Sequence, residues 1–438
     1  MTRVSRGLGR LRVVFDDPTL VANAGLVLVA TLVETLGLEA LIDATVGLPG
    51  GAGHRPGRKL LSLVHAMVAG ASHIDHANVL RAGATGGVLG HRVMAPSTLG
   101  TFLRAFTFGH VAQLDKVIAE ALRRAWSLPG VGPGRSRLVI DIDSTICEVT
   151  GKKKQGAAYG YTRVLGYHPL VASRAGSGEI LAARMRKGSA NTQRGAGQFV
   201  IELIARVRRA GAAGGIIVRM DSGFWSKKTI AILQDRKVRF TMTVRAADKG
   251  IAKAIATIAE DAWAPIAYPA GGVAQVAEVD YDGLRLVVRR TQVLGPDGAT
   301  PLFATWAHHA FLSDLATDVV TLDAFHRNHA VVELAIRDLK EGAGLAHVPS
   351  GSYAANGAWL GAAVLAHNLI RWSALSGGIV KAGTGTVAAT IRTRYLAIPA
   401  RLVNRSGTPT LRGPARWPWA THFARALETL RALPAAVG

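Results

Sequence analysis

The chain has 438 residues and a formal net charge of +23, from 52 Lys and Arg residues against 29 Asp and Glu residues. Hydrophobic residues make up 49% of it, which excludes a disordered chain and allows two to four domain cores. A single cysteine excludes an intrachain disulfide and a cysteine-rich zinc site, and the basic charge predicts a polyanionic partner, with DNA foremost.

Residues 18–127 predict a series of short helices separated by turns that contain Gly and His. Pro96, Ser97 and Thr98 open one of them, and a longer helix is expected over residues 111–126. We therefore expect residues 1–130 to form a helical N-terminal DNA-binding domain. A plain supporting domain remains an alternative, because no helix-turn-helix register stands out.

No apolar segment follows the Arg-rich start of the chain, and none offers about 18 uninterrupted apolar residues. We therefore expect neither a signal peptide nor a membrane span. Together with the reducing environment that one cysteine suits, this predicts a cytoplasmic protein, associated with the nucleoid if its partner is DNA.

A linker rich in Gly and Pro at residues 129–134 precedes a change of pattern. Residues 131–246 then show the order β-β-β-α-β-α-β, which predicts a mixed sheet with flanking helices. The expected strands cover residues 137–145, 166–172, 179–185, 215–220 and 238–244, and the expected helices cover residues 195–209 and 226–233.

Residues 247–315 predict a β-rich insertion within the same catalytic domain, with turns at Asp282-Gly283 and Pro296-Asp-Gly298. Its strands are expected at residues 275–280, 284–293 and 302–311. Helices resume in residues 316–376, at 323–341 and 358–372. The final segment, residues 377–438, has nine Lys and Arg residues against Glu428 alone, which favours a basic helical tail that contacts phosphate over a merely solvated one.

Three acidic residues are the candidates for chemistry. Asp143 is expected near the end of an apolar strand, and Asp221 directly after another. Glu333 is expected on a helix, with Arg337 and Lys340 on the same face. Sites in open sheets form at the carboxyl ends of strands, where three carboxylates can hold two divalent ions for phosphodiester chemistry. Oxygen ligands suit Mg²⁺ or Mn²⁺.

Ordinary roles compete with these assignments. Asp141 and Asp143 face the same side of their strand, and Asp141 is interpreted as a carboxylate that supports the ligands. Asp221 alone would be a common turn residue, and Glu333 with Arg337 a solvated ion pair. Two basic clusters are assigned to the phosphate backbone, with a solvated face as the alternative: Lys152, Lys153 and Lys154, and Arg184, Arg186 and Lys187.

Aromatic residues near the acids could stack on an unpaired base. They are Tyr161, Tyr167 and Trp225. Core packing is the expected role for at least one of them.

Four blocks around the acids resemble the motifs of bacterial insertion-sequence transposases of the DDE type, and of the insertion-sequence thirteen-eighty family in particular. The blocks are 141–148 (DIDSTICE), 156–161 (GAAYGY), 166–170 (GYHPL) and 219–224 (RMDSGF), with a weaker likeness at 96–104 (PSTLGTFLR). The resemblance implies an RNase H-like core with a β insertion between Asp221 and Glu333. It also implies two Mg²⁺ ions on Asp143, Asp221 and Glu333, and a homodimer or higher multimer acting on paired DNA ends.

The family's signature Tyr-x2-Arg-x3-Glu-x6-Lys is matched by Glu333 and Lys340, whereas His326 and His329 occupy its Tyr and Arg positions. The resemblance implies DNA contacts for these groups, and we expect Arg337 and Lys340 to contact phosphate. Histidine can bond a phosphate but carries a fixed charge less reliably than arginine.

The leading hypothesis is a transposase that binds the inverted ends of its element, cuts them with Mg²⁺ and joins them to target DNA. A DNA-binding repressor or domesticated transposase without turnover is the first alternative, favoured only by the two histidines. An RNase H-like nuclease is the second, although it would need neither the helical N-terminal region nor the basic tail.

Overall fold

A computed structural model describes residues 11–160, 162–268, 272–293 and 305–435 of the protein. Within these ranges the fold is mixed α/β, with one large mixed sheet and many helices. One continuous hydrophobic core contains side chains from both the helical layer and the sheet. None of the helices in this part of the chain is long and apolar enough to cross a membrane.

Nine strands in the described ranges form the main sheet. In the order in which they lie side by side, they are β10 (Ala264–Pro265), β11 (Ala274–Tyr281), β12 (Leu284–Gln292), β13 (Trp306–Ser313), β9 (Arg239–Val244), β8 (Ile216–Met220), β2 (Leu138–Ser144), β6 (Leu170–Arg174) and β7 (Ile180–Arg184). The predicted mixed sheet is confirmed, and each strand expected between residues 137 and 244 has a counterpart.

Strand β2 lies at the centre of the part of the sheet that carries the acids. It runs parallel to β8 and antiparallel to β6, and β8 runs parallel to β9. Helices α8 (Ala196–Arg209) and α9 (Lys227–Asp235) make the connections into and out of β8. All five residues of β8 are buried, as expected of a parallel strand covered on both faces.

The β-rich insertion extends this same sheet. β13 pairs antiparallel with β9, with Ala310 opposite Val244, and β12, β11 and β10 follow as an antiparallel meander. The strand expected at residues 302–311 corresponds to β13, and residues 301–304 lie outside the described ranges. Helix α10 (Lys249–Ile255) connects β9 to the insertion.

Four of the N-terminal helices pack against a helix from much later in the chain. Helix α13 (Tyr353–Ser376) contacts several of them, and most of its residues are buried. The N-terminal helices are α1 (Leu26–Thr35), α2 (Leu38–Thr45), α3 (Pro56–Val68), α4 (Ala77–Arg81), α5 (Thr85–Leu89), α6 (Pro96–Arg104) and α7 (Phe108–Trp126). Packing is therefore continuous between four of these helices, α1, α3, α6 and α7, and helix α13.

The basic tail is only partly helical. Helices α14 (Ala388–Ile391) and α15 (Ala420–Arg431) flank a hairpin of β14 (Ala400–Arg405) and β15 (Thr408–Arg412) that the sequence pattern did not predict. β14 also pairs with β1 (Leu20–Val21). Exposed Arg401, Arg405 and Arg412 lie on this hairpin.

The helix expected over residues 323–341 is interrupted. Helix α11 (Val319–Arg327) leads into a 3-10 turn (Asn328–Ala330), then α12 (Val331–Arg337) and a π-helical turn (Asp338–Gly342). Each interruption contains a side chain bonded to another element, since His329 donates to Asp141 and Asp338 accepts from Arg371. Three short strands, β3 (Cys147–Glu148), β4 (Ala158–Tyr159) and β5 (Leu165–Tyr167), form a small sheet beyond the end of β2.

Candidate active site

Strand pairing brings Asp143 and Asp221 to the same edge of the sheet. β2 and β8 are parallel neighbours, with Asp141 opposite Arg219 and Ile142 opposite Met220. One further step along this register sets Asp143 beside Asp221, on strands that lie about 4.8 Å apart. The proximity of two acids separated by 78 positions in the chain follows from this register.

Asp143 is half-buried, and its side chain accepts a hydrogen bond from the backbone N–H of Ser144 at 2.6 Å. The pKa of Asp143 is raised to about 6, mainly by burial and also by the charges of Asp221 and Glu333, although the Ser144 hydrogen bond and His329 act to lower it. Asp143 therefore lies near two other carboxylates, and a bound cation would reduce the electrostatic repulsion among them.

Asp221 follows β8 directly and accepts a hydrogen bond from the backbone N–H of Gly223 at 3.0 Å. A side chain at Gly223 would place its Cβ 2.8 Å from Thr192, so glycine allows the turn to pack this closely. Burial raises the pKa of Asp221, while the Gly223 hydrogen bond and the nearby His329 and His168 lower it.

Glu333 and Asp143 line one open cleft of about 480 Å³, which Arg337 and Lys340 also line. Glu333 and Arg337 are exposed and Lys340 is half-buried. The Nζ of Lys340 donates to the carbonyl oxygen of Ile146 at 2.9 Å, which links the π-helical turn to the segment after β2. The cleft thus combines three carboxylates, those of Asp143, Glu333 and Glu341, with two cationic side chains.

The three carboxylates match a divalent cation by donor type, since Mg²⁺ and Mn²⁺ prefer oxygen ligands. The raised pKa of Asp143 also indicates a position where a cation would lower the repulsion between Asp143 and the carboxylates of Asp221 and Glu333. Within the described ranges, however, no three His, Cys, Asp or Glu side chains are gathered closely enough to hold an ion. A complete ligand set therefore requires the carboxylates to approach one another further.

Asp141 is bound by protein groups and is 1% exposed. Its carboxylate accepts hydrogen bonds from the Nε and Nη2 of Arg219 at 2.7 and 2.8 Å. His329 Nδ1 lies 2.9 Å from the same carboxylate. Asp141 therefore links neighbouring elements and has few lone pairs left for a metal ion.

His326 departs from the expected DNA contact. It is 2% exposed, its Nδ1 bonds Thr241 Oγ1 at 2.7 Å and its Nε2 bonds Thr243 Oγ1 at 3.0 Å. Its ring stacks on Phe311 with centroids 4.0 Å apart, and burial lowers its pKa well below the usual value. With both nitrogens occupied inside the protein, His326 is a neutral packing residue in this structure.

His329, by contrast, is 13% exposed at its side chain and close enough to Asp143 and Asp221 to lower the pKa of both. The signature position for which the resemblance implies a DNA contact is therefore occupied by His329, which bonds Asp141 and lies beside Asp143 and Asp221. Its nearness to both strands was not apparent from the sequence.

The expected phosphate contact by Arg186 also conflicts with the structure. Arg186 is 7% exposed, and its guanidinium donates to the carbonyl oxygens of His168, Asn191, Thr192 and Arg194. Burial lowers its pKa to about 10. Arg186 therefore fixes the loop before α8 and does not face solvent.

Of the three consecutive lysines, Lys152 and Lys153 are exposed, as a phosphate contact requires. Lys154 is half-buried, and its Nζ donates to the carbonyl oxygen of Val348. Burial lowers the pKa of Lys154. The first two lysines thus remain candidates for DNA contact, and the third connects two loops.

The two described aromatic candidates for base stacking differ in burial. Tyr167 is fully buried, and its hydroxyl donates to Gln155 O at 2.9 Å while accepting from Asn356, so it packs in the core. Trp225 is half-buried in the turn after Asp221. Tyr161 lies outside the described residues.

Two residues close to the acids were not predicted from the sequence. Arg219 pairs with Asp141, and His168 Nε2 lies 2.9 Å from Ser144 Oγ, next to Asp143. Arg219 and His168 both lie inside the quoted blocks RMDSGF and GYHPL. Both residues therefore lie in the motifs that predicted the site, but only the carboxylates of these motifs were assigned to it.

Comparison with known proteins places this geometry in context. The family model "Transposase DDE domain group 1" matches residues 6–435. No curated protein matches the chain. Among solved structures, the chain is similar to the piggyBac transposase in a synaptic complex with hairpin DNA, at 11% identity and a TM-score of 0.47 over 86% of this chain and 80% of that one.

A match over nearly the whole chain identifies a DNA-binding, DNA-cleaving protein of DNA transposition, and domains of this kind normally use divalent metal ions. The protein therefore belongs to the transposase family with a DDE domain of group 1.

Proposed function

We propose that this transposase cuts DNA at the inverted-repeat ends of its own element and transfers the ends to target DNA. The observation that carries the proposal is the convergence of Asp143 and Asp221 at one sheet edge, with Glu333 in the cleft that Asp143 lines. We assign Asp143, Asp221 and Glu333 as the ligands of two Mg²⁺ ions, for which Mn²⁺ can substitute.

The strand order supports an RNase H-like core. β7, β6, β2, β8 and β9 lie side by side, the first three antiparallel and the last three parallel, with acids at the ends of the two central strands. In such a core the insertion adds strands to the edge of the sheet next to β9. We also propose the narrower membership in the insertion-sequence thirteen-eighty family, and multimeric action on paired ends at the nucleoid of the cytoplasm.

Side chains of the protein would position the DNA in this mechanism. Bound divalent ions would activate the attacking oxygen and stabilise the leaving one. Exposed Arg337 would hold a phosphate at the mouth of the cleft, and Lys340 would do so deeper inside. Asp143 must lose its proton before it can bind a cation, which its raised pKa delays to about pH 6.

Exposed cations elsewhere extend the DNA surface in this proposal. Lys152 and Lys153 lie in the loop after β3, and the tail hairpin adds Arg401, Arg405 and Arg412. Arg401 also pairs with Asp17 at 2.8 Å, so part of its charge is already compensated. Phosphate contacts from such residues orient DNA without reading its sequence.

The test is cleavage of labelled DNA that carries the inverted repeat flanking the gene, with Mg²⁺ and purified protein. Asp143→Asn, Asp221→Asn and Glu333→Gln change charge with little change in shape. Cleavage at the repeat's edge by wild type, lost in all three variants with DNA binding intact, supports the proposal. Specific binding without cleavage in Mg²⁺ or Mn²⁺ would favour the repressor, and cleavage without joined products would favour the nuclease.

A further inference from the structure

One buried carboxylate joins the helix that carries Glu333 to the two strands that carry the other acids. Asp141, on β2, accepts from Arg219 on β8 and bonds His329. His329 lies four residues before Glu333, in the 3-10 turn that leads into α12. A single ion pair thus connects β2, β8 and the start of this helix.

Arg219 extends the connection to the preceding helix. Its Nη1 donates to the carbonyl oxygen of Phe325 at 2.7 Å, and its guanidinium lies 4.9 Å from the centre of the Phe325 ring. The end of α11 and the following turn are therefore both fixed to the Asp141–Arg219 pair. Arg219 is 3% exposed, so water competes little for these bonds.

A second attachment holds the far end of the segment. Asp338 accepts from Arg371 Nη2 at 2.7 Å and from the backbone N–H of Ala388 at 2.8 Å. Between the two attachments, α12 has seven residues. Its position therefore depends on how its two ends are held.

Packing holds one face of α12, where Val332, Ala335 and Ile336 are buried, and leaves another part of its surface open. The cleft with Asp143 lies on one side, and a cavity of about 440 Å³, lined by Asp141 and Arg219 among others, lies on the other. Leu334 lines both spaces and is 42% exposed, and Val331 is 46% exposed. The exact position of α12 on its buried face therefore depends on how its two ends are fixed.

We propose that Asp141, Arg219 and His329 form a tether that positions Glu333 relative to Asp143 and Asp221, and that His329 acts through this tether and not by contacting DNA. The inference rests on the proposed function for its effect on catalysis, but the tether itself is a property of the protein alone. These three are positioning residues, because none of them needs to touch the reacting phosphate.

The test compares His329→Leu, which removes the hydrogen bond to Asp141, with His329→Asn, whose amide reaches the place of Nδ1. His422→Leu, at an exposed histidine of α15, is the matched control. Amide hydrogen exchange of residues 328–337 is measured without DNA or metal. We expect His329→Leu to accelerate exchange there roughly 10-fold or more, the size of losing a hydrogen bond to a charged group, and His329→Asn to restore protection.

Cleavage and binding assays complete the test. We expect His329→Leu to lower kcat ~10- to 100-fold, as a small misplacement of a reacting group does, with DNA affinity and KM unchanged and with rescue by His329→Asn. Arg219→Lys, which loses the bond to Phe325, is measured if His329→Leu does not fold. Unchanged exchange together with weaker DNA binding would overturn the tether. Absence of cleavage by wild type would refute the proposed function, while the exchange data would still decide the tether.

Discussion

Asp141 and Arg219 lie opposite each other on neighbouring parallel strands and form a buried ion pair with two hydrogen bonds. Their side chains are 1% and 4% exposed. Removing one partner leaves an uncompensated charge in the interior, so we expect Arg219→Met to lower the free energy of unfolding by about 3–5 kcal/mol. Urea denaturation measures this loss.

The double variant Asp141→Leu, Arg219→Met is the control for this ion pair. Replacing both partners removes the stranded charge, so the double variant should be more stable than Arg219→Met alone. A loss below about 1 kcal/mol for the single change would mean that water reaches the pair.

Asp143 makes folding stability depend on pH. Burial, with Asp221 and Glu333, raises its pKa from 3.8 to about 6. Between these values the unfolded chain releases the proton while the folded chain keeps it, so the free energy of unfolding falls as pH rises through this interval and then levels off. The fall is at most about 3 kcal/mol, at about 1.36 kcal/mol for each pKa unit.

Asp143→Asn should abolish this fall and be more stable than wild type at pH 7 without metal, and equally stable near pH 4. Mg²⁺ should stabilise wild type more at pH 7.5 than at pH 5.5, because a protonated Asp143 is a poor ligand. Thermal unfolding across this pH range measures both effects. Parallel curves for the two proteins would show that Asp143 titrates normally.

Arg337 is exposed at the cleft, so Arg337→Ala should weaken DNA binding about equally for all sequences. The slope of log affinity against log salt should fall by about one, since one phosphate contact is lost. Fluorescence anisotropy at several salt concentrations gives this slope. Lys116→Ala, at an exposed position of α7, is the control, and an equal change there would indicate only a general charge effect.

His326 is bonded at both nitrogens inside the protein, so its loss should affect folding and not DNA affinity. We expect His326→Ala to cost about 2–4 kcal/mol, from a cavity beside Phe311 and from hydroxyls left without partners. Calorimetry and DNA titration of the folded variant separate the two effects. Weaker DNA binding with normal stability would restore the DNA contact implied by the signature.

The sequence predicted the acid-bearing strands because each consists of a dense apolar run followed by a turn. Asp143 and Asp221 could therefore be assigned to strand ends without any tertiary information. The interruption of the Glu333 helix was not predicted, because residues 319–342 keep a helical pattern while His329 and Asp338 bond to distant elements. Local periodicity does not report such long-range bonds.

Contacts between segments distant in the chain explain the other differences between the predicted and the observed structure. Val244 meets Ala310 across 66 positions, which makes the insertion part of the main sheet. The tail hairpin has few apolar residues, and its strand β14 is completed by Leu20–Val21 from the other end of the chain. Arg186 and His326 seemed to be surface groups because charge and polarity alone do not reveal burial.

The packing of N-terminal helices against α13 affects the order in which the protein can fold during synthesis. Residues 26–126 are synthesised before the helix against which four of their helices pack, which begins at residue 353, and Leu20 pairs with Arg401. The apolar side chains that these helices bury against α13 lack that partner while more than half of the given sequence is synthesised. Such non-local contacts slow folding and favour a late, concerted closure. A delay between the synthesis of these helices and the closure of their core is thus a property of this topology.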